Sequence, residues 1–495
     1  MYLFIHRKDL RTHDMRAFDA LKRRGLSGLH LLILDPALLK DGRAQAHSGR
    51  QFLREVARLQ AAYGRADKRL HLLHGNPVEV VETLLTHAPL QGIVAHADYT
   101  PYARRRDEQI RVLAEQQGVP WVLLDDLPLA DLEDFHRHTG RSEPYKVFTP
   151  FYNKWSGYMQ QYAQPQASAK LEELQTVAEL PDGIGSRFAL PPELEEALWG
   201  AHGNAEDAGN SHLKVGEGED PWALAANEGE DPWAQAVDEG EDAWAQAVYE
   251  REDPCALLAD FVDSEGLRDY DKRRDRYTRD DGTSGISRYL NTGSLSARTA
   301  YAAAQGKDGG ETWVRQLAWR DFYLYQAIYN EDFYRYEQRY DLSPLSDQHY
   351  EAWEQARTGI PIIDASMTEL RETGEMHNRL RMINAMFLTK NLLCPFTLGE
   401  RYFRRQLADY DNCLNRGGWL WSSSLGYDAA PYFRIMNPAS QSHQHDPSGT
   451  YIRRWLPQLA HLDDKAIHLP QPDAIVDLKA SRARAIEVYK EILRA

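Results

Sequence analysis

Tyr2-Leu3-Phe4-Ile5-His6, then Arg7-Lys8-Asp9-Leu10-Arg11, then Leu29-His30-Leu31-Leu32-Ile33-Leu34 decide the fold of the first part of this chain. Similar β-rich runs recur at Leu70–Leu73, Gly92–Ala95 and Trp121–Leu124, separated by amphipathic stretches at about 15–24, 48–63, 77–87 and 102–117. Strands separated by single helices imply a parallel, doubly wound α/β sheet. Ligands of such sheets bind beyond the carboxyl ends of the strands. No Gly-rich dinucleotide fingerprint follows the first strand, where Arg7-Lys8-Asp9-Leu10-Arg11 stands instead.

At 495 residues the chain is too long for one hydrophobic core, so a second domain is expected. From about residue 256 the pattern turns helical and rich in Trp and Tyr, with helices expected at Trp313–Tyr329, Tyr350–Arg357, Ile363–Glu372, Met376–Leu393 and Leu398–Gln406. The domain plan is therefore an α/β unit over 1–130, a connector over 131–255 and a mostly α-helical unit over 256–495. A polar stretch with Pro and Gln fills the connector to about residue 200. Mean hydropathy is -0.61, and no apolar run is long enough to span a membrane. The apolar start of the chain is too short for a signal-peptide core. Three widely spaced cysteines, Cys255, Cys394 and Cys413, suit a reducing cytoplasm and give neither a disulfide framework nor a metal site. A cytoplasmic monomer is the expectation.

The net charge of -16 is unlike the basic footprint of a nucleic-acid binder. Its distribution changes the reading. Residues 217–253 hold thirteen acids and one base, so twelve of those charges sit there and the remainder of the chain is near neutral. A basic groove is then affordable, from Lys272, Arg273, Arg274, Arg276, Arg279, Arg401, Arg404, Arg405, Arg453 and Arg454, although solvated helix faces would look the same. The acidic region is an internal repeat over 216–255: Glu219-Asp220-Pro221-Trp222, Glu230-Asp231-Pro232-Trp233, Glu241-Asp242-Ala243-Trp244 and Glu252-Asp253-Pro254-Cys255, spaced by eleven residues. Acids before Pro mark the first turn of a helix, and repeating that start gives short, interrupted turns. A duplicated linker without chemistry is the plain reading; partner docking or DNA mimicry is the other.

The densest chemistry lies in two runs. The first is Met376-His377-Asn378-Arg379-Leu380-Arg381-Met382. The second begins at Asp409 and continues Asp411, Asn415, Gly417-Gly418-Trp419-Leu420-Trp421 and Asp428-Ala429-Ala430-Pro431-Tyr432-Phe433-Arg434. With Trp319-Arg320 upstream, they resemble the FAD-binding half of the photolyase/cryptochrome family, and within it the photolyases that repair cyclobutane pyrimidine dimers. The opening strand and turn, and Pro144-Tyr145-Lys146-Val147-Phe148-Thr149-Pro150-Phe151, resemble the same family, so the likeness spans nearly all the chain outside 165–250.

That resemblance implies FAD, UV-damaged DNA as partner, and roles for individual residues. Gly282-Thr283-Ser284-Gly285-Ile286-Ser287 is by itself a set of small donors ahead of a helix, where an N-terminus favours anions but where a simple cap is commoner. It is similar to the family's phosphate-binding turn, with Tyr270 upstream on the adenosine side; Gly285 replaces a usual Arg, and Tyr270 to Thr283 is one residue longer than common. Trp313 and Arg320 join the cofactor set. Asn378 and Met382 share a helix face with Arg379 beside them; the resemblance makes these three the floor of the dimer pocket, with Asn378 also against the cofactor. It pairs Arg381 with Asp409, gives Asp411 the flavin imide N–H, and sets Asn415 at flavin N5. Trp319 and Trp421 are expected as pocket walls, because a flipped dinucleotide needs new π surface. Relatives acting on (6-4) photoproducts carry a histidine in this region as a proton donor; Met382 speaks against that chemistry, and His377 has no assigned place.

Three departures stand out. Gln316 replaces a glutamate and can donate and accept but not supply a proton. Trp419 matches the proximal member of the tryptophan chain that reduces the flavin, but Phe396 and Ser343 stand where the middle and distal members are usual; Tyr402, Tyr410, Tyr427 and Trp455 are nearby oxidisable substitutes. Asp98-Tyr99-Thr100-Pro101-Tyr102-Ala103 resembles an antenna-pocket segment, but Tyr102-Ala103 replaces the Asn-Glu pair of folate binders. A deazaflavin, a flavin or an empty pocket is favoured over folate for that second chromophore. The resulting expectation is a light-driven dimer-splitting enzyme. A cryptochrome-like photoreceptor and a non-catalytic, structure-specific DNA-binding protein are the alternatives.

Overall fold

The structure, a computed structural model, describes residues 1–40, 42–163, 165–199, 253–278 and 282–494. Five strands, β1 (Tyr2–His6), β2 (Gly28–Leu34), β3 (His71–His74), β4 (Gly92–His96) and β5 (Trp121–Leu124), form one parallel sheet in the order β3-β2-β1-β4-β5. The expected doubly wound arrangement is present, with Leu3, Phe4, Leu29 and Ile93 fully buried. Helices Arg16–Arg24, His47–Arg65, Pro77–His87 and Pro101–Gln116 alternate with the strands. Two start where their sequences direct: Asn76 and Thr100 each cap the helix with a side-chain oxygen, and Pro occupies the first helical position.

The strand order reverses between β1 and β4, and there the loop after β1 holds a buried polar network. Asp9 accepts from Arg7 N–H at 2.7 Å and bonds His6 Nδ1 at 3.0 Å and His96 Nδ1 at 2.5 Å. Arg7 forks onto Asp107 at 2.9 and 2.7 Å. A charged network thus fills the place a Gly-rich phosphate loop would take.

Residues 169–199, expected to be a polar tether, instead return to the sheet. Gly28 N–H donates to Gln175 O at 2.8 Å and Val177 N–H to Gly28 O at 2.9 Å, while Leu171, Leu174, Leu194 and Leu198 are buried in the α/β core. Hydrophobic spacing too sparse to read as an element still covers one edge of the fold. Three of the four acidic repeat units lie outside the described residues. The fourth behaves as its sequence directs: Asp253 accepts from Cys255 N–H at 2.9 Å and caps Pro254–Asp263.

The second unit is helical throughout and is built around Gly310–Tyr329, Pro361–Thr373, Asn378–Met386, Phe396–Gln406, Asn412–Ser422 and Leu478–Ile492. The helix expected over Met376–Leu393 is shorter, because the α-helical ladder widens to a π-turn at Phe387–Asn391 and the chain then turns through Leu393 at φ 52° toward Pro395. A wholly buried ionic junction joins the two units. Arg298, at the start of Ala297–Ala304, holds Asp14 at 3.1 Å and Asp126 at 2.7 Å, and Arg11 holds Asp126 at 2.6 Å. Nearby, Asp321 accepts from Leu129 N–H, Ala130 N–H and Trp155 Nε1 at 2.9, 2.8 and 3.0 Å, fixing the chain after β5 against Gly310–Tyr329.

Candidate cofactor and lesion site

Two close helix contacts position this site, and glycine permits both. A Cβ on Gly417 would meet the Tyr323 ring at 2.1 Å, so Asn412–Ser422 and Gly310–Tyr329 cross there with Trp319 one turn from the contact on one helix and Trp421 one turn away on the other. A Cβ on Gly399 would meet Trp419 at 2.1 Å, which seats that indole under Phe396–Gln406. A larger residue at either place would push the helices apart.

Asn412–Ser422 begins at Asp411, whose Oδ1 accepts from Cys413 N–H at 2.8 Å and Leu414 N–H at 3.0 Å. The cap uses one carboxylate oxygen and leaves Oδ2 for another donor. One turn on, Asn415 donates to Glu400 O at 3.1 Å and keeps its amide oxygen outside that bond. Arg381 reaches across to Asp409 at 2.9 Å and to Met376 O at 2.7 Å. The second oxygen of Asp409 is buried without a hydrogen-bond partner, with Ser287 close to the carboxylate. Burial opposes the Asp409 charge, but the paired Arg381 guanidinium outweighs it and holds the carboxyl below its ordinary value. An anionic acceptor with an unused buried oxygen is therefore built into this wall.

The loop below it turns at Gly285, where φ is 65°, a conformation that strongly favours glycine. Thr283 and Ser287 are exposed, Ser284 is half-buried, and Ile286 is buried. The helix that follows, Ser287–Thr292, is only six residues long, so the loop's hydroxyl and amide donors matter more than a helix dipole. Tyr270 and Trp313 are both buried against Phe261, at 6.2 and 5.9 Å between ring centroids. The Arg320 guanidinium donates to Leu127 O at 2.6 Å and Leu290 O at 3.5 Å, bracing the same loop–helix junction through backbone carbonyls.

At the start of Asn378–Met386, Asn378 is exposed and its amide contacts Met382 Sδ at 3.8 Å. Arg379 pairs with Asp275 at 2.5 Å, a partner no sequence spacing indicated. Trp421 is half-buried, and its carbonyl accepts from Ala430 N–H at 3.2 Å. Trp319 is also half-buried, but one face stacks on buried Phe148 at 3.5 Å and 7°, so its outward surface is elsewhere. Gln316 donates to Thr312 O at 3.1 Å within its own helix. His377 caps Asn378–Met386 by accepting from Arg379 N–H at 3.1 Å. Burial pushes its pKa down to about 4, so it is a neutral cap and not a proton donor at neutral pH.

Several candidate groove bases are already engaged: Lys272 with Asp269, Arg273 with Glu265, Arg405 with Glu354 and Arg453 with Asp464. Arg279 lies outside the described residues. Away from Arg381, Asp409 and Asp411, the Asp98–Asp107 segment borders a cleft of about 590 Å³, with Trp121 and Tyr329 on its other sides. Tyr99 donates to Asp125 at 2.5 Å, Tyr102 bonds Asp35 at the end of β2, and Arg104 donates to Ala327 O at 2.9 Å. Among the described residues, no group of His, Cys, Asp and Glu is placed to hold a metal, and no helix is long and apolar enough to cross a membrane.

Comparison with known proteins gives the same picture. The family model described as DNA photolyase matches residues 2–171, and that described as FAD binding domain of DNA photolyase matches residues 313–491. The chain is 30% identical to a deoxyribodipyrimidine photo-lyase of Alkalihalophilus pseudofirmus, over 98% of this chain and 96% of that protein. It is 32% identical to one from Synechococcus, over 94% and 89%. The structure of an archaeal photolyase from Sulfolobus tokodaii with two FAD molecules superposes with a TM-score of 0.74 at 25% identity, covering 99% of both chains.

Proposed function

Because the chain belongs to the DNA photolyase family, we propose that it is a deoxyribodipyrimidine photo-lyase, which repairs UV-damaged DNA by splitting cyclobutane pyrimidine dimers under blue light. The observation that carries this is the Arg381–Asp409 pair with its unused buried carboxylate oxygen, together with the spare acceptor atoms of Asp411 and Asn415 in the segment that follows. That set fits FAD. When bound and reduced, FAD supplies the photo-excited electron that opens the dimer and then recovers it.

The chain's own residues bind and orient. Thr283, Ser284, Gly285, Ile286 and Ser287 would receive the phosphates, with Tyr270, Trp313 and Arg320 supporting that end. Arg381, Asp409, Asp411 and Asn415 would face the ring system, and Asn378 would lie between it and the lesion. Trp319 and Trp421 offer indole surface to a flipped dinucleotide, Arg379 and Met382 complete the floor, and Gln316 offers an amide where no proton can be supplied. The domain plan assigns light capture to the α/β unit over 1–130 and repair to 256–495. A second chromophore, a deazaflavin, flavin or folate, would use the crevice beside Tyr99 and Tyr102. A blue-light photoreceptor is the second reading, favoured by Gln316.

Incubating purified protein with a dimer-containing oligonucleotide, in blue light and in darkness, tests the reading. The expected result is FAD-coloured protein and loss of dimers only in the light; colourless protein that FAD does not reconstitute would overturn it. Within the same assay, Trp421→Ala should retain FAD but weaken dimer binding by about 1–3 kcal/mol, the usual worth of one base–aromatic stack. Unchanged affinity in a titration would remove Trp421 from the pocket.

A further inference from the structure

Trp419 is only 2% exposed and its indole needs an electron donor behind it if light is to reduce the bound cofactor repeatedly. The two positions where such donors are expected cannot serve. Phe396 has the Arg416 guanidinium 5.0 Å above its ring, a cation that opposes positive charge there, and Ser343 is exposed and has no aromatic ring. A different set of rings is packed against Trp419. Trp353, fully buried in Tyr350–Glu354, lies 6.3 Å from it between centroids, and Tyr350 lies 6.0 Å from Trp353. Tyr350 is half-buried and donates its hydroxyl to Glu354 at 3.2 Å, which in turn faces Arg405 at 3.4 Å.

We propose that Trp353 and Tyr350 form a relay that refills Trp419, carrying electrons from the protein surface around Phe396 and Ser343. The proposal rests on the photolyase reading above. Trp419 gives one electron to the photo-excited oxidised FAD, Trp353 gives one to the Trp419 radical cation, and Tyr350 gives one to the Trp353 radical cation. Tyr350 releases its phenolic proton to the Glu354 carboxylate in the same step and becomes a neutral radical. A thiol in solution returns one electron and one proton to Tyr350 and leaves as a thiyl radical, and Glu354 then gives its proton back to water. Each electron that leaves Trp419 is thus replaced, the relay residues return to their starting charge, and the net change is one electron to the FAD, one proton to water and one thiyl radical.

Two details give the relay its direction. Trp353 Nε1 is buried without a hydrogen-bond partner, so an oxidised Trp353 has nowhere to deposit its proton and must pass the charge on. Tyr350 has an acceptor in place, and losing a proton to a hydrogen-bonded carboxylate makes a phenol easier to oxidise. Tyr402 also touches Trp353, at 5.6 Å, but it is buried, whereas Tyr350 reaches the surface where a reductant can meet it.

The test uses FAD-loaded protein, oxidised, under blue light with excess thiol. Flavin absorbance is followed, and radicals trapped by freezing are identified by electron paramagnetic resonance. The parent should photoreduce and show a neutral tyrosyl radical. Tyr350→Phe should lose that radical and most of the steady-state photoreduction, and Trp353→Phe should lose both. Undiminished photoreduction in FAD-loaded Trp353→Phe, or an unchanged tyrosyl signal in Tyr350→Phe, would overturn the relay. Should Trp353→Phe fail to fold, Tyr350→Phe decides alone, because it removes one half-buried hydroxyl. Repair by dithionite-reduced protein is measured in parallel: if the parent repairs, the photolyase reading stands whatever the relay does, and if it does not, that reading has failed separately.

Discussion

Trp419→Phe is expected to abolish light-driven reduction of the bound flavin, while dimer repair by chemically pre-reduced protein survives largely intact. The reason lies in which functions converge on this ring. Trp419 is buried between Gly399, which leaves room for its six-membered ring, and Phe403 at 5.1 Å. It touches none of the groups that orient the lesion: Trp421 is two positions on, and neighbouring helix positions point to different sides. Phenylalanine keeps the apolar contacts with Phe403 and Trp353 but is far harder to oxidise. Loss of the indole therefore removes the first donor without removing the pocket. Stopped illumination of oxidised protein, followed by flavin absorbance, measures the first effect, and a dimer assay after dithionite reduction measures the second. Normal photoreduction in this variant would show that electrons arrive by another side of the flavin.

The extent to which this site could be read from sequence follows the range of the interactions involved. The sheet and its four helices were legible because their signals are local: short, nearly continuous apolar runs, which suit strands buried on both faces, separated by single amphipathic stretches. The Arg381–Asp409 pair was reached only through the family likeness, and the structure places the two at 2.9 Å. What spacing could not supply is every contact between residues remote along the chain. Phe148 beneath Trp319, Asp275 against Arg379 and Trp353 against Trp419 carry no local signature, since any buried aromatic or surface acid looks alike in sequence. His377 had no place from its motif; its function as a neutral helix cap depends on burial, which a motif does not state. The return of residues 169–199 to the sheet was missed because a few apolar side chains among polar ones suffice to cover an edge.

The ionic junction between the two units should respond most strongly to a single substitution. Arg298 is 2% exposed and holds both Asp14 and Asp126, which are themselves buried. Arg298→Met keeps much of the side-chain volume but removes the guanidinium that pairs with both carboxylates, leaving Asp14 without its ion pair, and breaking such a buried arrangement typically costs about 3–5 kcal/mol. Urea unfolding at neutral pH, monitored by tryptophan fluorescence, should show a loss of that size. The pH dependence separates this cause from a packing defect. Desolvation would raise the Asp126 pKa, but Arg11, His96 and Arg298 overcome it and hold the carboxyl well below its ordinary value. A carboxyl depressed in the folded state stabilises fully above its unfolded pKa, about 3.9, and that contribution fades as pH falls through the lower folded value. The parent therefore loses this contribution in acid, whereas the variant, in which protonation relieves unpaired buried charge, does not. The gap between the two unfolding curves should be widest near neutrality and narrow steadily below about pH 4. A gap that stays constant down to strong acid would assign the loss to packing and leave the charge network without a role in joining the two units.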